Sequence, residues 1–230
     1  MTADDLKRAV AEASLKYVTD GMFLGLGTGS TARYVLEGLA RRISDEGLLV
    51  TGVPTSFATA QAAKLLGIPL TSLEEHPVLD LAIDGADEVD SRLNLIKGLG
   101  GALFREKIVA ASAKKFIVVV DESKLVPRLG TKSPVPVEVH PFGWRTTQAR
   151  IEALGAKVAL RKRGSEVFET DNGNHILDAR FGPIRKPEET AAALDAVPGV
   201  VGHGLFLGMT DLVLASSAQG VRTLRPTRKF

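Results

Sequence analysis

A chain of 230 residues with 44% hydrophobic and 24% charged residues can bury a sizeable core, as one large α/β domain or one such domain plus a small second one, and it excludes disordered and fibrous classes. Twenty-nine Lys and Arg face 27 Asp and Glu, a net charge of +2 with the signs interspersed, so no basic stripe suited to nucleic acid forms outside the run Arg222 to Lys229, which is expected to be a solvated end. Cysteine is absent, which removes disulfides and thiolate chemistry and fits a reducing, cytoplasmic setting, while the longest apolar run, Phe116 to Val120, and the acidic opening Thr2-Ala3-Asp4-Asp5 offer neither a membrane span nor a signal peptide.

Along the chain, apolar residues at Leu6, Val10, Ala13, Leu15 and Val18 predict an amphipathic helix over Asp5 to Val18. A short strand, Met22 to Leu26, then a turn at Gly27-Thr28-Gly29-Ser30 and a helix from Thr31 to Ile43 make a β-loop-α unit. The alternation continues with a strand at Leu48 to Val53, a helix from Ala58 to Leu66 and a strand from Leu79 to Asp84. A glycine-rich loop at Lys97 to Gly101 leads into a helix from Ala102 to Ala113 and a Val-rich strand from Phe116 to Val120. Such alternation predicts an α/β fold, a Rossmann-like, mainly parallel sheet covered by helices on both faces, with ligands beyond the carboxyl ends of its strands.

From Pro134 the order becomes strand Val135 to Val139, helix Thr146 to Leu154, strands Lys157 to Arg161 and His175 to Phe181, helix Pro187 to Val197 and strand Val200 to Leu207. That βαββαβ order predicts a smaller ferredoxin-like α+β domain over 131–207. Residues 1–130, joined by about 208–230 returning to the first sheet, are then the Rossmann-like domain.

Three strand ends carry chemistry. Gly27-Thr28-Gly29-Ser30-Thr31 offers backbone N–H groups and a helix dipole to an anion; a dinucleotide fingerprint would need Gly at position 30 and a P-loop would need Gly-Lys before the hydroxyl, so a phosphate ester fits best. The alternative is a tight turn with Ser30 as helix cap. Asp84-Gly85-Ala86-Asp87 ends the apolar strand, and a bend at Gly85 would turn both aspartates into one crevice; an ordinary turn or a metal-binding pair remains open. Lys97-Gly98-Leu99-Gly100-Gly101 feeds the helix of Arg105-Glu106-Lys107, where Glu106 lies over the first turn, though such a triplet is often a solvated face. Lys124, after the next strand, and Lys7, on the first helix, bring further cations, the latter being alternatively solvent-facing. The histidines, His76, His140, His175 and His203, are scattered singly and read as structural; Phe142 and Trp144 read as packing or interface residues.

In order, GLGTGST, DGADE, KGLGGALFREK and DESK, followed by PVPVEV, TDNGN and PGVVGHGLF, the chain resembles the type A ribose-5-phosphate isomerase family over nearly its whole length. The resemblance implies an isomerase of ribose 5-phosphate and ribulose 5-phosphate in the pentose phosphate pathway, without metal or cofactor, as a homodimer or tetramer. It implies phosphate binding by Gly27, Thr28, Gly29, Ser30 and Thr31 with Lys7, Glu106 as general base, and Asp84, Asp87 and Lys97 at sugar hydroxyls and ring opening. Gly85, Ala86, Gly98, Leu99, Gly100 and Lys124 are implied as further substrate contacts. Leu99 departs from the further glycine many relatives carry there, which leaves open how closely the backbone approaches ligand. Competing readings are a sugar-phosphate-sensing module of a regulator, for which a helix-turn-helix is lacking, and a CoA transferase or sugar-phosphate deaminase using Glu106 on another substrate.

Overall fold

In the computed structural model, which describes residues 1–226, helix α1 (Ala3–Leu15) starts where Thr2 and Asp5 cap each other: the Thr2 hydroxyl accepts from the Asp5 N–H at 3.1 Å and the Asp5 carboxylate from the Thr2 N–H at 2.7 Å. The chain then alternates through β1 (Met22–Leu26), α2 (Ser30–Glu46), β2 (Val50–Pro54), α3 (Phe57–Leu65) and β3 (Leu81–Asp84). Two short strands not anticipated from sequence, β4 (Glu88–Val89) and β5 (Leu95–Ile96), precede α4 (Leu103–Ala111), β6 (Phe116–Asp121) and a 3₁₀ turn at Glu122–Lys124. Next come β7 (Val135–Val139), α5 (Trp144–Ala153), β8 (Lys157–Leu160) and a hairpin of β9 (Lys162–Arg163) with β10 (Glu166–Val167). The last elements are β11 (His175–Arg180), α6 (Pro187–Asp195), β12 (Val200–His203), β13 (Leu205–Phe206), β14 (Leu212–Ser217) and β15 (Gly220–Leu224).

These elements sort into two units. One holds Met1–Ala86, Arg105–Lys124 and the chain from Gly208 onward; the other holds Asp87–Phe104 and Leu125–Leu207. The longer segment of the second unit starts at Leu125, where the sequence placed a junction near residue 130, and the unit also takes in Asp87–Phe104, which the sequence assigned to the first.

The first unit is built on a six-stranded sheet in the order β15-β14-β6-β3-β1-β2, parallel except for β15. Alternation along β1 explains its two coats. Leu24 and Leu26 join the core under α1 and α2, whereas Gly25 faces the other way and receives Val109 of α4. Phe116 to Val120 of β6 are buried throughout, as a strand covered on both faces requires. Arg222, expected in a solvated end, is exposed and lies in the edge strand β15; positions 227–229 of that basic run fall outside the described residues.

The second unit contains a four-stranded antiparallel sheet, β12-β7-β11-β8, whose order with α5 and α6 is the ferredoxin-like βαββαβ, interrupted by the β9–β10 hairpin. Val135, Val137, Val139, Ile151, Leu177 and Leu194 form its core, and Trp144 packs against it, while Phe142 is exposed. The single strand expected over Val200 to Leu207 breaks at Gly204, whose N–H bonds the Pro136 carbonyl at 2.7 Å and whose carbonyl accepts from the Lys97 N–H at 2.9 Å. That break sends β13 into a separate three-stranded sheet, β13-β5-β4. No helix among the described residues is long and apolar enough to cross a membrane.

Candidate active site

In the first unit, the site grows from the carboxyl ends of β1 and β3. Gly27 lies so close to β3 that a Cβ there would fall 2.2 Å from the Asp84 carboxylate, so only glycine fits without displacing that strand. Asp84 closes β3, is 3% exposed, and its Oδ1 accepts from the N–H groups of Thr28 at 3.1 Å and Gly85 at 2.7 Å. The Thr28 hydroxyl turns inward to Thr55 Oγ1 at 2.7 Å, Ser56 Oγ at 2.8 Å and Thr59 Oγ1 at 3.0 Å. Thr55 and Thr59 are anchored in turn on the carbonyls of Leu26 and Gly27, and Ser56 Oγ bonds Thr59 Oγ1, so the loop's lower edge is a connected hydrogen-bond network.

The helix cap is Gly29, not Ser30. It offers no side chain to the first turn of α2, and Gly29 and Ser30 are exposed with Thr31 half-buried, which leaves the anion-favouring helix start uncapped by side chains. Glu106, in the first turn of α4, is 4% exposed and packs close to Gly27, Thr55 and Asp84. A solvated Arg-Glu-Lys face is therefore not what forms: Glu106 is buried, and the Arg105 guanidinium lies 4.4 Å from the Phe57 ring. Lys7 pairs with Asp4 at 3.3 Å, and Lys124 sits half-buried in the turn after β6; among the described residues neither hydrogen-bonds the Gly27–Thr31 loop.

The second unit carries the other predicted residues. Asp87 takes its backbone hydrogen bond from its own N–H to the Ile96 carbonyl at 2.8 Å, and its Oδ2 accepts from the Leu99 N–H at 2.9 Å. Lys97 is 3% exposed, with its ammonium 5.6 Å from the Phe206 ring centroid. Gly98 has φ +104°, a left-handed conformation that disfavours any side chain, and Leu103 occupies the space a Cβ would need. Leu99 carries no such demand, since Leu93 alone among the described non-glycine residues has positive φ; leucine is therefore compatible with this loop backbone. Gly100 is exposed.

The bend at Gly85 does not use glycine's conformational freedom: its φ is not positive, and a Cβ would meet nothing closer than 3.8 Å, with Ala86 half-buried beside it. Asp84 and Asp87 also serve different loops, the first holding Thr28 and the second Leu99. The sequence reading missed Thr55, Ser56 and Thr59, although their place just past β2 was a usable signal, because ligand sites collect at such strand ends. It also missed Glu88, fully buried, whose two oxygens accept from the N–H groups of Gly130, Lys132 and Ser133 and so pin that loop. The histidines hold structural positions where their partners are seen: His76 stacks on Phe23 and buried His203 accepts from the Leu205 N–H. Among the described residues no three His, Asp or Glu side chains gather as a metal cage.

The fold is that of an α/β protein with a mainly parallel sheet, the architecture in which small-molecule sites lie beyond the carboxyl ends of the strands. Residues 51–220 match the family model of ribose 5-phosphate isomerase A (phosphoriboisomerase A). Curated relatives named ribose-5-phosphate isomerase A include one from Synechococcus sp. (strain JA-3-3Ab), 53% identical over 97% of this chain and 98% of its own, and one from Roseiflexus castenholzii, 56% identical over 94% and 93%. The solved ribose 5-phosphate isomerase A of Methanocaldococcus jannaschii superposes with a TM-score of 0.93 at 44% identity, covering 97% of this chain and all of the other. A D-ribose-5-phosphate isomerase solved in complex with phospho-erythronic acid superposes with a TM-score of 0.95 at 40% identity, covering 98% and 100%. The chain belongs to the ribose-5-phosphate isomerase A family, and its activity is that of an aldose–ketose isomerase acting on pentose phosphate.

Proposed function

We propose that the chain interconverts D-ribose 5-phosphate and D-ribulose 5-phosphate through an enediolate, with Glu106 as the base. The burial of Glu106 beside Asp84 and Gly27, at the ends of β1 and β3, is the observation that most supports this reading. A carboxylate withdrawn from water is a stronger base than a solvated one, as removal of a proton from carbon requires. After ring opening, Glu106 takes the proton from C2, the C–H electron pair becomes the C1–C2 double bond, and the carbonyl oxygen at C1 is protonated. The O2 proton is then released, and Glu106 returns its own proton to C1. Because the same carboxylate takes and returns the proton, no hydride donor enters the balance.

Asp84, Asp87 and Lys97 are assigned to the sugar hydroxyls, ring opening and the developing oxyanion, where a cation or acid contributes several kcal/mol. The loop Gly27 to Thr31 with Lys7 is assigned to the phosphate, and Gly85, Ala86, Gly98, Leu99, Gly100 and Lys124 to further substrate contacts. A relative's complex with phospho-erythronic acid supports the substrate class and the enediolate, since the planar carboxylate of that ligand stands in for an enediolate and its phosphate for that of the substrate. Cytoplasmic residence and assembly into a homodimer or dimer of dimers complete the proposal; sedimentation of a monomer-sized species alone would remove the assembly. For the mechanism, Glu106→Gln is expected to lower kcat by about 10²–10⁴-fold with KM little changed. Full turnover in that variant would place the base elsewhere.

A further inference from the structure

The peptide group between Gly98 and Leu99 has both of its polar ends engaged within the second unit. Its N–H, that of Leu99, donates to Asp87 Oδ2 at 2.9 Å. Its carbonyl, that of Gly98, accepts from Arg161 Nη1 at 2.8 Å, and the same nitrogen donates to the Leu99 carbonyl at 3.0 Å. Arg161 follows β8, and its side chain is only 12% exposed. Its direction is set from behind: Nε donates to Asp178 Oδ2 at 2.9 Å and Nη2 to Asp178 Oδ1, a bidentate fork on a β11 carboxylate that is 23% exposed. Phe168, next to the hairpin, packs where a Cβ on Gly101 would lie, so the loop is held at two places.

We propose that Arg161 is a positioning residue for the isomerisation: oriented by Asp178, it holds the Gly98–Leu99 peptide so that its N–H keeps the Asp87 carboxylate in its working place. Asp178, Arg161, one peptide group and Asp87 then form a single hydrogen-bonded chain, in which each bond polarises the next. A guanidinium suits the task because its planar fork serves a carboxylate and two carbonyls at once, which a lysine ammonium does not do. The inference rests on the role proposed above for Asp87, and the experiments separate the two.

Steady-state kinetics with ribose 5-phosphate, and the amide resonance of Leu99, are measured for Arg161→Met, Arg161→Lys, Asp178→Asn and Asp87→Asn in the full chain. Arg161→Met and Arg161→Lys are expected to lose about 10–100-fold in kcat, with KM changed far less, and to move the Leu99 amide proton upfield. Asp178→Asn, which keeps the side chain's shape, is expected to give a smaller loss in the same direction and covers the case in which Arg161→Met does not fold. Arg163→Met, an exposed neighbour that also contacts Phe168, is expected to behave as wild type. Adding Arg161→Met to Asp87→Asn is expected to cause little further loss, since both act through one chain. An unmoved Leu99 resonance, full kcat in Arg161→Met while Asp87→Asn is impaired, or rescue by Arg161→Lys each overturns the proposal. Full activity in Asp87→Asn with a shifted Leu99 resonance would instead remove the role of Asp87, and the positioning role with it, while leaving the hydrogen-bonded chain in place.

Discussion

A methyl group added at Gly27 would meet the Asp84 carboxylate and, at 2.7 Å, its Cα, which belongs to the backbone of a central strand and cannot swing aside. Gly27→Ala is therefore expected to destabilise the fold by about 1–3 kcal/mol, as overpacking does, whereas Gly85→Ala, with only ordinary contacts, should leave stability unchanged. Urea unfolding of the two variants checks this; equal stabilities would mean that β1 and β3 yield more easily than their packing implies. At this scale the glycine-hydroxyl string GLGTGST was legible because turn residues announce themselves locally. Its partners were not. Thr55, Ser56 and Thr59 meet Thr28 across separations of 27, 28 and 31 residues, and beyond their place at the end of β2 nothing in their own neighbourhood names Thr28 as the partner.

Elements long enough to show a period were read from sequence, and elements too short to have one were missed. Strands β1, β6 and β7 and helices α1 and α2 fall close to their expected spans, whereas β4 and β5, two residues each, have no alternation to detect, and β13 was read as one strand with β12. One inter-element tie gives a pH-dependent prediction. Asp80, just before β3, accepts from Lys114 Nζ at 2.8 Å and from the β1 N–H of Phe23 at 2.9 Å, and the Lys114 ammonium, with that N–H, holds its carboxyl below the usual range. Since the folded value lies below the unfolded value of about 3.9, the stabilisation is present above about pH 4 and disappears as pH falls through the folded value. Asp80→Asn is expected to melt below wild type at pH 6, with the gap closing under acid conditions. A gap that stays constant down to pH 2 would show that the ionised carboxylate is not what matters.

Across the whole molecule the chain passes between the two units at Ala86–Asp87, Phe104–Arg105, Lys124–Leu125 and Leu207–Gly208, so the second unit is not one contiguous stretch. A fragment of residues 125–207 loses β5, the partner of β13, and Glu88, which satisfies three backbone N–H groups of the 130–133 loop. Unpaired backbone groups and a lost sheet partner are expected to leave that fragment poorly packed, with restoration when residues 87–104 are joined to it by a Gly/Ser linker. Near-UV circular dichroism and the fluorescence of Trp144, the single tryptophan, report the outcome. Native-like signals from 125–207 alone would show that the inserted segment is dispensable.

The family and the α/β alternation were determined by the sequence alone, because periodicity, glycine spacing and apolar runs are written into neighbouring positions. Only the tertiary structure decided that Asp87–Phe104 joins the second unit, that Glu88 pins a loop 42 residues away, and that Arg161 holds a peptide 63 residues behind it. Such partners are chosen by the packing of distant segments, for which a charged or polar residue carries no local mark.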